Sequence, residues 1–288
     1  MNNYGEMAER LKAHVWSTCF RSTEPGFESL SHRIINHALL RPTRHNMARI
    51  QAICTRIAIS PSWDVSFVYF KPTEKFVFLE GQFVVIETQL HGKPYKKPYS
   101  IATTYKEFLA TGEIGIITKR TSETWMSAYL TKWITIWAQV TLIWPAGRYI
   151  DQKSSKNYFF ISVWSGLGPN YSLLQAAHQN TLTTNESSWR IVNLFGERHY
   201  AHILPEVEQL FVTTQSDTTK HLLYLSQETQ LPPMYHQGRI QLGIDEALEF
   251  LWEDFAAYIC GTPAMVNDIK QELLQRNVSP SRIIVEKY

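Results

Sequence analysis

Lys97-Pro98-Tyr99-Ser100-Ile101-Ala102 is the stretch on which the reading of this chain turns. It follows a strand-like run, Phe83-Val84-Val85-Ile86-Glu87-Thr88, and a short turn through His91-Gly92-Lys93-Pro94. Pro98 stiffens the start of a further strand. Side chains alternate across a strand, so Tyr99 and Ser100 point to opposite faces and cannot both be core filler. A flat ring beside a hydroxyl suits a planar group such as a flavin, held by stacking and a hydrogen bond. Taken alone the run also fits an ordinary edge strand, so it has to be read with the rest of the chain.

Length and composition set the frame. The 288 residues fit one large domain or two of about 100–150 residues each. A hydrophobic content of 44% with 19% charged residues describes a globular chain with material for real cores. The net charge of +2 gives no argument for a nucleic-acid partner; the basic residues cluster locally, at Lys93, Lys96 and Lys97 and at Lys119 and Arg120. Three cysteines, Cys19, Cys54 and Cys260, are too few for a disulfide framework or a four-cysteine iron–sulfur cluster, and no metal site is expected. The N-terminus lacks a basic region followed by an apolar core, and no run of about 18 uninterrupted apolar residues occurs. A cytoplasmic monomer without a membrane span is therefore expected.

The hydrophobic period changes twice. Phe27, Leu30, Ile34 and Ala38 recur at helical spacing, and Tyr4 to Trp16 is a second possible helix, so residues 1–46 read as a helical extension or a partner-docking arm. Residues 47–152 shift toward a period of two. Ile50–Ile59, Val65–Tyr69, Phe76–Phe78, Phe83–Glu87, Tyr99–Ala102, Ile114–Thr118 and Val140–Trp144 are expected strands of an antiparallel β-barrel, interrupted by one helix over Ser122–Lys132. Residues 153–288 alternate strand and helix, which predicts a parallel sheet covered on both faces. The hydrophilic stretch Asp151 to Asn157 reads as the link between them.

A β-barrel followed by a small α/β domain resembles the ferredoxin–NADP reductase superfamily, and four stretches carry the resemblance. Lys97 to Ala102 is similar to the family's Arg-x-Tyr-Ser strand. Ile117-Thr118-Lys119-Arg120 with Ser127-Ala128-Tyr129-Leu130 is similar to its strand and helix start facing the flavin. Ser165-Gly166-Leu167-Gly168-Pro169 and Cys260-Gly261-Thr262-Pro263-Ala264-Met265-Val266 complete the set. The details look closest to bacterial flavodoxin/ferredoxin–NADP reductases, through Leu167 to Ser172, Leu225-Ser226-Gln227-Glu228-Thr229, Gly238-Arg239-Ile240 and the terminal Val285-Glu286-Lys287-Tyr288.

The resemblance implies roles. Tyr99 would stack on the flavin of FAD and Ser100 would hydrogen-bond near its reactive nitrogen. Lys97 would offset phosphate charge, beside Pro98, Ile117, Thr118 and Lys119. Ser127 would place its hydroxyl on the pyrophosphate at a helix start. Gly166, Gly168 and Pro169 would let a nicotinamide nucleotide approach the backbone. Gly261 and Met265 would line that site, with Cys260 and Glu286 near hydride transfer and Tyr288 over the other flavin face. Ser226, Gln227 and Arg239 would meet the adenosine end of NADPH, with NADH open.

Plainer readings stand beside these. Cys260 also fits a buried small hydrophobe, Glu286 a solvated terminus and Ser127 a helix cap. Lys97 stands where the family prefers arginine, which loses the planar fork. Val163-Trp164 stands where relatives carry small residues; the ring turns outward, stacks on the nucleotide or blocks the site. Gln227 replaces an arginine, with Arg239 and Lys220 as substitutes. The function implied is hydride transfer from NADPH to FAD and then single electrons to a separate ferredoxin or flavodoxin, steered by the basic clusters. The alternative is a reductase-fold protein that binds flavin or a partner with impaired nicotinamide turnover. A third reading, the reductase component of an oxygenase, would need a ferredoxin domain for which these three cysteines are too few.

Overall fold

The computed structural model describes residues 49–288, apart from 124, 153–154, 185–188, 253 and 288. The extension expected at 1–46 and the role expected of Tyr288 lie outside the described residues. The barrel strands are β1 (Arg49–Ile59), β2 (Val65–Pro72), β3 (Phe83–Leu90), β4 (Lys93–Ser100), β5 (Ile114–Lys119) and β6 (Gln139–Ala146), in the order β4-β3-β6-β1-β2-β5. Every pairing is antiparallel. A bridge from Ile101 to Ile116 brings the two edges of this curled sheet together, just past Ser100. The β3–β4 turn places His91 (φ 52°) and Gly92 (φ 74°) in the left-handed region, the two-residue hairpin that matches strand twist. That turn sets the register Val84–Tyr99 and Phe83–Ser100.

Three local expectations for this half are corrected. Phe76 and Phe78 form no strand; both are buried, their rings against Phe108 at centroid distances of 5.1 and 5.7 Å. Phe108 sits on an unanticipated helix, α1 (Tyr105–Thr111), started by a capping box between Thr104 and Glu107. The helix expected over Ser122–Lys132 shrinks to α2 (Met126–Ala128) and a π turn over Tyr129–Trp133. Trp125 at its N-cap offers no side-chain acceptor, and Ile134 N–H reaches back five residues to the Tyr129 carbonyl.

The second half alternates β7 (Asn157–Val163), α3 (Leu167–Thr184), β8 (Ile191–Glu197), α4 (Pro205–Thr214), β9 (Thr219–Leu225), β10 (Tyr235–Gln237), α5 (Ile244–Leu251), β11 (Phe255–Gly261), α6 (Pro263–Gln275) and β12 (Ile283–Lys287). The expected parallel sheet is present, in the order β10-β9-β8-β7-β11-β12; β10 and α5 are additions. Strand alternation splits the core in two. Phe160, Phe195, Tyr258 and Cys260 face one side, while Phe159, Ile161, Leu194 and Ile259 face the other with α5 and α6 residues Leu251 and Val266. The first of these cores also takes in Phe67, Tyr69 and Ala102 of the barrel half. Phe67 meets Tyr171 of α3 edge-on at 5.6 Å. Strand order reverses between β7 and β11, the switch point at which ligands bind in sheets of this type.

Candidate functional site

At the carboxyl ends of these strands lies a cleft of ≈ 830 Å³. Its walls come from the ends of β7 (Val163, Trp164), β8 (Glu197, Arg198) and β9 (Ser226, Gln227), from Arg239 beyond β10, and from Thr262 and Met265 beyond β11. Lys119, Arg120 and Thr121, at the end of β5, supply the barrel side.

The switch point is built by close backbone approach. Ser162, Cys260 and Glu286 are register partners across β7, β11 and β12, so the two residues expected near hydride transfer, Cys260 and Glu286, lie side by side. Cys260 and Ser162 are fully buried. Gly166 packs so tightly that a Cβ there would run into the Cys260 carbonyl, which explains this glycine without any ligand. A Cβ on Gly261 would come within 3.0 Å of Val163 and 3.1 Å of the Met265 sulfur. Thr262 caps α6 by accepting from the Met265 N–H at 3.4 Å, with Pro263 at the first helical position.

Gly168 contacts the barrel. A Cβ on it would lie 3.5 Å from the Ser100 Cβ, an ordinary contact, so the start of α3 rests on the end of β4. Pro169, one residue on, is buried there and its carbonyl accepts from Ser172. Tyr99 packs against the barrel core and hydrogen-bonds Thr118 of β5; burial lifts its phenol above the ordinary value. Ser100 and Thr118 are buried, and Ile117 is half-buried against the shared core. Lys97 and Pro98 are exposed on the outer part of β4, and the Lys97 ammonium lies 5.4 Å from the Trp125 ring.

Two residues expected on flavin phosphates have other partners. Ser127 sits inside α2 rather than at its cap, and its hydroxyl accepts from the Thr121 N–H at 3.2 Å. Lys119 pairs with both oxygens of Glu197 at 2.9 and 3.0 Å. Glu197 also accepts from the Arg198 N–H at 2.6 Å and lies 3.0 Å from His202 Nδ1. His202 in turn faces Asp64, which is bonded to Arg120. Burial pushes Asp64 up, but the hydrogen bond and charge of Arg120, with His202 and Lys119, hold its carboxyl below the usual range. A chain of polar and charged side chains thus joins the barrel half to the parallel sheet.

At the far end of the cleft, Ser226 and Gln227 are held by backbone bonds to Glu197 and Arg198, at 2.9 Å each. Arg198 and Arg239 are exposed there, and neither forms an ion pair among the described residues. Lys220 is not a substitute for the missing arginine: it starts β9, at the opposite edge of the sheet, and pairs with Glu246 at 2.6 Å. Trp164 has turned inward. It is 4% exposed, with its ring edge-on to Phe195 at 5.7 Å.

The residues fit a nicotinamide nucleotide on two observations. The Trp164 indole nitrogen and Ser162 hydroxyl are buried without partners among the described residues, and the guanidiniums of Arg198 and Arg239, which form no ion pair among the described residues, line the cleft. They fit a flavin ring through Tyr99, Ser100 and Thr118; its phosphates would fall to Lys97, since Lys119 and Ser127 are engaged. Among the described residues no cluster of His, Cys, Asp or Glu has the makings of a metal site, and no helix is long and apolar enough to cross a membrane.

Residues 160–271 match the family model of the oxidoreductase NAD-binding domain. The electron transfer component of toluate 1,2-dioxygenase from Pseudomonas putida is 21% identical over 216 residues, covering 74% of this chain. The chain spans 60% of that relative's length. The ferredoxin–NADP+ reductase of Neisseria gonorrhoeae, solved with FAD and NADP, superposes with a TM-score of 0.69 at 16% identity, over 83% of this chain and 98% of that one. The chain shares the two-part fold of this reductase. The FAD/NAD-binding domain of nitric oxide dioxygenase from Vibrio cholerae superposes with a TM-score of 0.66 at 19% identity, over 83% and 98% of the two chains. Residues 160–271 are thus similar to oxidoreductase NAD-binding domains, and the fold is that of these solved structures.

Sequence reading missed several residues of this cleft. Glu197, Arg198 and Thr262 carried a usable signal, since each ends or directly follows a buried parallel strand. Asp64 and His202 carried none, because only the folded chain brings them to Arg120 and Glu197.

Proposed function

We propose that the chain is an FAD-dependent NADPH reductase that delivers electrons singly to a separate ferredoxin or flavodoxin. The observation that carries this reading is the close approach of Gly168, at the start of α3, to Ser100, at the end of β4, which brings the two candidate stretches together. Flavin supplies the conversion of a hydride into single electrons. The chain's own residues do the rest. Tyr99 and Ser100 hold and orient the ring, Lys97 offsets phosphate charge, and Gly261 admits the nicotinamide to the Cys260–Glu286 row. Arg198 and Arg239 favour a nucleotide carrying an additional phosphate, and so NADPH over NADH. Lys93 and Lys97, exposed on the β4 side, suit an acidic electron acceptor, whereas Lys96 is tied to Glu87 at 3.0 Å.

The second reading, a reductase-fold protein with impaired nicotinamide turnover, draws on one observation: Trp164 and Val163 fill space where the family has small residues. Anaerobic absorbance spectra of the purified chain separate the two. Flavin bands that bleach with NADPH support the reductase. Bands that persist with NADPH and NADH yet bleach with dithionite support the second reading. A chain that takes up neither FAD nor FMN contradicts both.

A further inference from the structure

Trp164 combines a well-placed ring with an unsatisfied nitrogen. Its ring is buried edge-on against Phe195, yet its indole N–H has no acceptor among the described residues. The Ser162 hydroxyl, two residues earlier on the same strand face, is orphaned in the same way. Buried donors are almost always paired, and an unpaired one destabilises the conformation that contains it. Trp164 also lines the ≈ 830 Å³ cleft, so space for the ring lies next to it. It belongs to the short 3-10 turn Trp164–Gly166, and its ring is part of the same buried cluster as Leu167, Tyr171 and Phe195.

We infer that Trp164 is a ligand-responsive contact of this cleft: when a nicotinamide nucleotide binds, the indole leaves Phe195 and donates its N–H to an acceptor oxygen of that nucleotide. The inward ring leaves the indole N–H without an acceptor among the described residues, and the bond to the nucleotide supplies one. Trp164 is thus neither a plug nor ordinary core. It is a side chain whose frustration in the free protein favours the bound state. The inference rests on reading the cleft as a nucleotide site.

Trp164→Phe keeps a packing ring but deletes the N–H together with part of the indole. In the full chain as purified, its melting temperature should fall by less than the lost ring atoms alone would cost, because an unpaired buried donor is gone with them. Calorimetric titration with NADP+, which cannot reduce a flavin, should show binding weakened by about fivefold or more. Part of the NADP+-induced change in tryptophan fluorescence should also disappear. Phe195→Leu, which removes the partner of the inward ring, should leave NADP+ binding as tight or tighter. Wild-type protein that binds NADP+ while Trp164→Phe matches it in affinity would overturn the inference and leave the cleft reading standing. So would weaker binding in Phe195→Leu together with an unchanged Trp164→Phe. Wild-type protein that binds neither NADP+ nor NAD+ would overturn both, and the melting temperatures report on the orphaned N–H without any ligand.

Discussion

The Lys119 ammonium lies 2.9 and 3.0 Å from the two carboxylate oxygens of Glu197, and this pair ties the end of a barrel strand to the end of a parallel strand. The Glu197 side chain is only 2% exposed, so its charge depends on the cation and on the Arg198 N–H beside it. Removing one partner strands the other. Lys119→Ala should lower unfolding free energy by about 2–3 kcal/mol, while Lys119→Ala combined with Glu197→Gln should cost much less than the two changes added together. Urea unfolding of the four proteins of this cycle measures the coupling; strictly additive energies would remove the pair from the account of domain cohesion.

Arg198 and Arg239 should set nucleotide preference. Replacing both with alanine removes two unpaired, exposed cations from the cleft. NADPH affinity should fall by about tenfold or more, close to 1.4 kcal/mol, with NADH nearly unaffected. Equal losses for both nucleotides would mean that the arginines hold the shared pyrophosphate instead.

Gly166 is constrained by protein rather than by ligand. The methyl group of Gly166→Ala would meet the Cys260 carbonyl, a backbone atom that cannot rotate away. We expect a loss of about 1–3 kcal/mol in stability, read as a lower melting temperature in the absence of any nucleotide. A variant as stable as wild type but deficient in nucleotide binding would restore a purely ligand-driven reason for the glycine.

His221 should make the fold sensitive to acid. Its imidazole is buried between Asn193 and Thr214, at 3.2 and 2.8 Å. Burial, and then repulsion from His178, pushes its pKa down from 6.5 to about 3. The unfolded chain therefore binds a proton that the folded chain refuses, so this contribution is fully present above pH 6.5 and is lost as pH falls toward 3. The slope is about 1.4 kcal/mol per pH unit for one proton. In His221→Gln, stability measured between pH 7 and 4 should fall less steeply than in wild type, by about that slope. Parallel curves would show that His221 is protonated in the fold.

Much of the architecture was readable in advance, for local physical reasons. Period-two alternation marked the barrel strands, and buried runs spaced by helices marked the parallel sheet. Lys97–Ala102 pointed to the flavin-type strand. Even the unread helix α1 was written in the capping box of Thr104 and Glu107. Where local order failed as a guide, a neighbour had intervened. Phe76 and Phe78 have strand-like sequence but go to the Phe108 ring, and Ser127 reads as a phosphate-binding cap but bonds the loop at Thr121.

Sequence by itself determined the two-part fold and the strand ends at which a site would form, because periodicity and turn chemistry act within a few residues. Tertiary structure alone decided which charged and polar groups of that site are still available. Lys119 is engaged because Glu197, 78 residues away, is brought to it by packing the sheet against the barrel. Cys260 and Glu286 became neighbours through parallel register, and Trp164 turned inward because Phe195 offered an edge to pack on. Long-range register and close packing select those partners, and no spacing along the chain encodes them.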